Sequence, residues 1–277
     1  MKLSFLTLGC PDWDMDTICR NGRSYGFAGV DFRGYLDALD ITLIPQFTTG
    51  IADTRRRLGD AGLEVSGISS SITLCVPGKL ADNLEEARRT IEVAHGMNCS
   101  VVRVFGGGDA NKTSRDELVK YGIECVSQIL DLDGARDLHW QLETHDIWVK
   151  SQECRLLLDH IPDLEFGILW DMGHTCRIGG ETPQSFWKTV QGRVGYTHVK
   201  DAIYAPDHSQ AMGDGWRYVL PGSGELALGD CIDVLQHSNY AGWLLFEHEK
   251  RWHPELPAPE VAFPAFVRWV TPLFRGG

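Results

Sequence analysis

The chain has 277 residues, 43% of them hydrophobic, which is ample for a full core and excludes a disordered polymer. Its formal net charge of -12 repels phosphate backbones and argues against a nucleic-acid partner. No run approaches the roughly 20 apolar residues that a membrane helix needs, so no membrane role is expected.

The first strand is predicted over Leu3–Leu8. Its apolar run is short and no small-residue cleavage pattern follows, so it is read as a strand and not a signal peptide. A helix over Asp14–Tyr25, a strand over Gly29–Phe32 and a helix near Thr48–Ala61 come next. A strand at Glu64–Ile68 precedes the clearest helix, Leu80–Met97, whose Leu84, Ala87, Ile91 and Ala94 form one stripe. The alternation continues with a strand at Ser100–Phe105, a helix at Ser114–Leu132, a strand at His139–Glu143 and a helix at Ser151–His160. It closes with strands Glu165–Asp171, Gly195–Val199 and Trp243–Glu247, each followed by a helix: Pro183–Val190, Gly229–His237 and Pro259–Val270. Brief, mostly apolar strands are those of a parallel sheet buried on both faces.

Eight such units imply an α/β fold, a closed (β/α)8 TIM barrel of eight parallel strands, filling residues 1–277 as a single domain. An open sheet would want a phosphate loop or dinucleotide fingerprint after the first strand, where Gly9-Cys10-Pro11-Asp12 stands instead. Gly106-Gly107-Gly108 is read as a tight turn. The longest irregular stretches, Ala202–Gly224 and His248–Pro259, follow late strands, where a barrel enzyme carries its active-site loops. The Pro-rich part of the second is read as a cover over the site or as a lead-in to the last helix. The eight cysteines form no CxxC pair and lie among apolar residues, which predicts reduced thiols and a cytoplasmic protein.

Barrel enzymes place their chemistry at the C-terminal strand ends. Four consecutive strands end there on a metal-ligand residue: LHWQLE on Glu143, FGILWD on Asp171, VGYTH on His198 and GWLLFE on Glu247. Buried carboxylates need a compensating positive charge. A divalent cation supplies it, and three oxygens with one nitrogen suit Mn²⁺, Mg²⁺, Co²⁺ or Zn²⁺. The lack of thiolate argues against a structural zinc site. Strand alternation aims His145 and Glu249 the same way as Glu143 and Glu247, and His174 lies in the loop beyond Asp171.

The motifs LGCPDWDMDT, GFAGVDFRG, VRVFGG, LETHD, WDMGHT, THVKDA, YVLPGSGEL and FEHEKRWHPELPAPEVAFP span nearly the whole chain. Together they resemble the xylose isomerase-like TIM-barrel superfamily of sugar-phosphate isomerases and epimerases. That group includes ketose 3-epimerases, inosose dehydratases and endonuclease IV. The resemblance implies one bound divalent metal, with Mn²⁺ expected, on Glu143, Asp171, His198 and Glu247. It also implies that the two glutamates exchange a substrate proton, that His174 contacts substrate, and that Arg217 binds it from a long loop. Dimers and tetramers are the family habit, so a homo-oligomer is an expectation.

Isomerisation needs a proton removed next to a carbonyl, a metal to stabilise the resulting enediolate, and carboxylates on both faces. Glu143 and Glu247 are the expected acid/base pair. Lys200, Glu249 and Arg33 are candidate substrate contacts, with ion pairs as the structural alternative: Lys200 to Asp201, Glu249 to Lys250 or Arg251, Arg33 at the barrel mouth. His145 and His174 are candidates too, with a helix cap or loop hydrogen bond as the alternative. Trp13, Phe105 and Trp216 are candidates for the apolar face of a sugar, with loop packing as the alternative. The same ion and bases expel a β-hydroxyl, so an inosose-type dehydratase stays open. A non-catalytic sugar-binding subunit is the reading from another class. No phosphate-binding cluster appears, which points to an unphosphorylated sugar or keto-sugar.

Overall fold

The fold is that of a computed structural model, which describes residues 1–274. Its strands are β1 (Lys2–Leu6), β2 (Gly29–Phe32), β3 (Glu64–Thr73), β4 (Val101–Phe105), β5 (His139–Glu143), β6 (Phe166–Asp171), β7 (Val194–Val199), β8 (Asp201–Tyr204), β9 (Trp216–Val219) and β10 (Trp243–Phe246). All but β8 and β9 close into a parallel barrel in the order β1-β10-β7-β6-β5-β4-β3-β2. Outside it lie α1 (Met15–Tyr25), α2 (Ile51–Asp60), α3 (Leu80–Gly96), α4 (Arg115–Leu130), α5 (Ser151–Leu158), the single turn α6 (Met172–His174), α7 (Pro183–Val190), α8 (Leu228–His237) and α9 (Pro259–Phe274).

Local chemistry sets the helix ends. Asp14 accepts from the Thr17 N–H to start α1, and Gly26 stops it in the left-handed region at φ 95°. Ser114 and Glu117 close a reciprocal capping box on α4. Thr182 caps α7, with Pro183 in its first turn.

Strand alternation splits the core in two. Val102, Val104, Trp140, Leu142 and Trp170 face the helices in the large apolar layer. Leu6, Leu8, Val101, Leu169, Tyr196 and Leu245 form a smaller apolar cluster apart from it. The Tyr196 hydroxyl lies 3.1 Å from Asp31 Oδ2 and 2.9 Å from Ser66 Oγ, and burial raises the Asp31 pKa. Polar groups therefore sit deep in the fold as well as at the mouth.

Several boundaries differ from the pattern-based expectation. β3 runs on to Thr73 and α9 to Phe274, past Pro264 and Pro272. The stretch expected to be irregular, Ala202–Gly224, contains an antiparallel hairpin of β8 and β9. Its strands are four residues each and only partly buried, so they leave little periodic signal. Gly107 and Gly108 adopt φ of +64° and +92°, as a tight turn requires. A Cβ on Gly106 would collide with the Trp148 ring, and the Trp148 indole N–H donates to the Gly107 carbonyl at 2.7 Å. The loop before α9 is pinned by Lys250 Nζ, which donates to the Pro254 and Leu256 carbonyls at 2.5 Å. All eight cysteines are free thiols. Among the described residues no helix is long and apolar enough to cross a membrane.

Candidate active site and metal centre

Glu143, Asp171 and His198 stand at or beside the C-terminal ends of β5, β6 and β7, and Glu247 follows β10 directly. Outward neighbours such as Leu142, Trp170 and Phe246 lock each strand against the helices, which turns the alternate residues inward. Asp171 and His198 are register partners. All four side chains are buried, and one donor atom from each lies within 4.8 Å of all the others.

The electrostatics of this cluster are those of crowded carboxylates. His198 Nδ1 lies 3.4 Å from Glu143 Oε1 and 3.3 Å from Glu247 Oε1, yet neither ring nitrogen makes a hydrogen bond. Asp171 Oδ2 is also without a well-angled hydrogen bond, although Lys200 Nζ approaches to 2.8 Å and His174 Nδ1 to 3.0 Å. Burial alone would raise the Glu143 pKa, as does the Glu247 charge, but His198 and Arg103 outweigh both and hold it below the usual range. Burial would lower the His198 pKa, and the two glutamates instead raise it to about 10. Burial likewise disfavours the Lys200 ammonium, and Asp171, Glu247 and Glu249 overcome that. Buried donors left unpaired need a partner, and three carboxylates with one imidazole and no thiolate fit a divalent ion.

Lys200 corrects one expectation. Its ammonium pairs with Asp171 at 2.8 Å, Glu247 at 2.6 Å and Glu249 at 2.8 Å, and not with Asp201. The reason is alternation: Lys200 continues the inward positions of β7, while Asp201 turns away. The Asp201 carboxylate instead accepts the backbone N–H groups of Ala202, Gly222 and Gly224, each at 2.9 Å. Glu249 pairs with this lysine and not with Lys250 or Arg251.

His145 is partly exposed at the mouth. Its Nδ1 lies 2.8 Å from Asp146 Oδ1, and its ring packs against Phe105 and His174 at 4.9 and 4.7 Å. Burial opposes its protonation, but the Asp146 hydrogen bond and the Glu143 charge raise its pKa. His174 is buried, with its backbone N–H donating to Asp171 Oδ1 at 2.9 Å and its Nδ1 3.1 Å from the Thr144 carbonyl.

Arg33 makes no ion pair within 4 Å among the described residues; its Nη1 donates weakly to the Leu39 carbonyl at 3.5 Å. Burial and the nearby Arg103 charge lower its pKa to about 10. Trp13 and Arg217, expected as substrate contacts, stand in the α1–α9 packing and on the hairpin. Trp13 is buried against Phe5, Tyr25 and Phe263, and its indole N–H donates to Glu260 Oε1 at 2.9 Å, so it packs α1 onto α9. Arg217 occupies β9 beside Tyr218, and the ring of Tyr218 lies 5.6 Å from Lys200 Nζ. Arg217 Nε is buried and has no hydrogen-bond partner among the described residues. Trp216 packs on Tyr204 within the hairpin.

Arg103 escaped the sequence reading. It is 3% exposed, its Nε lies 3.4 Å from Glu143 Oε2, and its guanidinium stacks 3.8 Å over the Phe105 ring. Its Nε and Nη1 have no hydrogen-bond acceptor. A lone charge within the apolar run VVRVF, two residues before Phe105, was the available signal.

A family model described as xylose isomerase-like TIM barrel matches residues 19–266. The chain is 29% identical over 109 residues to inosose dehydratase 2 of Bacillus cereus, a match covering 36% of each protein. It therefore spans about a third of that relative's length. Among solved structures it is similar to the probable 3-DHS dehydratase AsbF of Bacillus anthracis, with 16% identity, 98% and 99% coverage and a TM-score of 0.79. It is also similar to an IOLI protein with a binding zinc atom, with 15% identity, 99% and 98% coverage and a TM-score of 0.79. At these identities the structural likenesses speak for the fold.

Proposed function

This chain belongs to the xylose isomerase-like TIM-barrel family, and from that premise we propose a divalent-metal-dependent enzyme that dehydrates a small polyhydroxylated ketone. The proton next to the carbonyl leaves first, and a hydroxyl on the following carbon leaves as water. The buried gathering of Glu143, Asp171, His198 and Glu247 within 4.8 Å carries the reading. These four would hold the ion, which supplies Lewis-acid polarisation of the substrate carbonyl. The zinc atom bound by the IOLI neighbour supports metal binding on this fold; Mn²⁺ remains our first expectation, with Mg²⁺, Co²⁺ and Zn²⁺ as alternatives.

Two features favour elimination over proton return. Lys200 ties Glu247 at 2.6 Å, whereas the charged neighbours of Glu143, His198 and Arg103, stand at 3.4 Å, so Glu143 is the less tightly held carboxylate. His145, two residues along the same strand direction and oriented by Asp146, is a proton donor for the departing hydroxyl. Base and acid then act on one face of the substrate. Arg103, with unpaired donors, and Arg33 are left to bind substrate oxygens. The curated relative's activity on an inosose supports a keto-cyclitol or keto-sugar substrate.

Isomerisation or epimerisation is the second reading. It is favoured by Glu143 and Glu247 both reaching the cluster from different strands, as an acid/base pair on two faces would.

The test is metal analysis of the purified protein, then Mn²⁺-loaded assays on inososes and free ketoses. Water loss is expected, and Glu143→Gln should slow it by about 10²-fold or more. Epimerisation without water loss would replace the first reading by the second. Glu143→Gln that binds sugar with turnover unchanged would exclude catalysis at this site.

A further inference from the structure

Directly after α6 the chain makes a π-helical turn, Thr175–Gly179. Such turns are rare and recur at functional sites. This one is tied at its start to the candidate site and at its middle to the β8–β9 hairpin. Thr175 Oγ1 accepts from the Trp170 indole N–H at 2.9 Å and donates to the Asp171 carbonyl at 3.2 Å. Arg177 pairs with Asp214 in the loop of the β8–β9 hairpin. Between these anchors stands Cys176, whose Sγ is 3.7 Å from Cys231 Sγ in the first turn of α8. Among the described residues no other two sulfurs make such a contact.

We propose that Cys176 and Cys231 are a peroxide-oxidisable pair whose closure to a disulfide displaces the turn carrying Arg177 and adjoining His174. The two thiols differ as an attacking and a resolving cysteine should. Cys176 is partly exposed, whereas Cys231 is 0% exposed. The hydrogen bond from Cys231 and the Ala227 backbone N–H favour the Cys176 thiolate, while burial keeps Cys231 protonated. Hydrogen peroxide oxidises the Cys176 thiolate to a sulfenic acid and is reduced to water. The Cys231 sulfur then attacks the sulfenic sulfur, an S–S bond forms, and hydroxide leaves with the Cys231 proton as a second water. Two thiols and one peroxide thus give one disulfide and two waters. Closure draws the sulfurs from 3.7 Å to the roughly 2 Å of a covalent bond, and in this proposal the turn moves toward α8 to allow it.

The test uses the full chain, reduced and then exposed to a small excess of hydrogen peroxide. Free thiols should fall from eight to six, with a Cys176–Cys231 peptide found by mass spectrometry after alkylation and digestion. Cys231→Ser should leave a dimedone-reactive sulfenic acid at Cys176, and Cys176→Ser should keep its remaining thiols. Amide exchange at residues 174–177 should change on oxidation and return with dithiothreitol. The oxidised protein should bind Mn²⁺ about fivefold or more weakly. This last arm rests on the metal reading: reduced protein that takes up no Mn²⁺ defeats that reading, while the thiol count and exchange still decide the pair. Absence of the linked peptide, or a disulfide that leaves exchange at 174–177 unaltered, overturns the proposal.

Discussion

A single imidazole packed against Phe246 and Phe263 gives the fold a measurable acid limb. Burial lowers the His248 pKa from 6.5 to about 4, and its neutral Nε2–H donates to the Pro257 carbonyl at 2.8 Å. The unfolded chain takes up a proton below about pH 6.5, and the folded chain refuses it until about pH 4. Its contribution to stability is therefore complete above pH 6.5 and falls as the pH drops toward 4, by at most ~3 kcal/mol. His248→Gln keeps a donor and should flatten this slope in urea midpoints taken from pH 7 to 4.5 with chelator present. An unchanged slope would mean that other groups carry it. At this scale the strand-end residues were legible because a lone charge closing an apolar run is visible in one dimension. Tyr218 was not, because its position depends on the hairpin that folds it over Lys200. The packing of Trp13 against Phe5 and Phe263 was hidden for a related reason: it lies before α1, outside any periodic segment, so no pattern states which way it faces.

The β8–β9 hairpin hangs on one carboxylate. Asp201 gathers three backbone N–H groups at 2.9 Å, two of them from the turn after β9. Charge-assisted bonds of this kind are worth about 1.5–3 kcal/mol each. Asp201→Asn turns one acceptor into a donor facing donors, so the hairpin should open locally. Limited proteolysis within residues 205–215 should quicken about tenfold or more, while the barrel's melting temperature changes little. Equal protection in both proteins would show that the Arg177–Asp214 pair alone holds the hairpin. The eight barrel strands were readable because each is a short apolar run between helical patterns. The hairpin was not: only Asp201 and Ala202 of DAIY are buried, and all of WRYV is half-buried, so neither strand shows an apolar alternation.

Across the whole molecule, the cluster bridges the least paired seam of the barrel. β10 and β7 share only the register pairs Leu245↔His198 and Phe246↔Val199, whereas β10 and β1 share four. His198 and Glu247 flank that seam, so an ion held by both would fasten it. A hundredfold excess of Mn²⁺ over its dissociation constant should add about 2.7 kcal/mol to unfolding free energy relative to chelator. Identical melting in Mn²⁺ and chelator would count against a bound ion. The four donors also divide the chain unevenly. All of them come from β5 onward, while β1 to β4 and their loops bring Arg33, Arg103 and Phe105 to the mouth and no donor. The two halves can thus diverge at different rates. A chimera taking its first four βα units from another family member should retain the ion and inherit a new appetite for substrates.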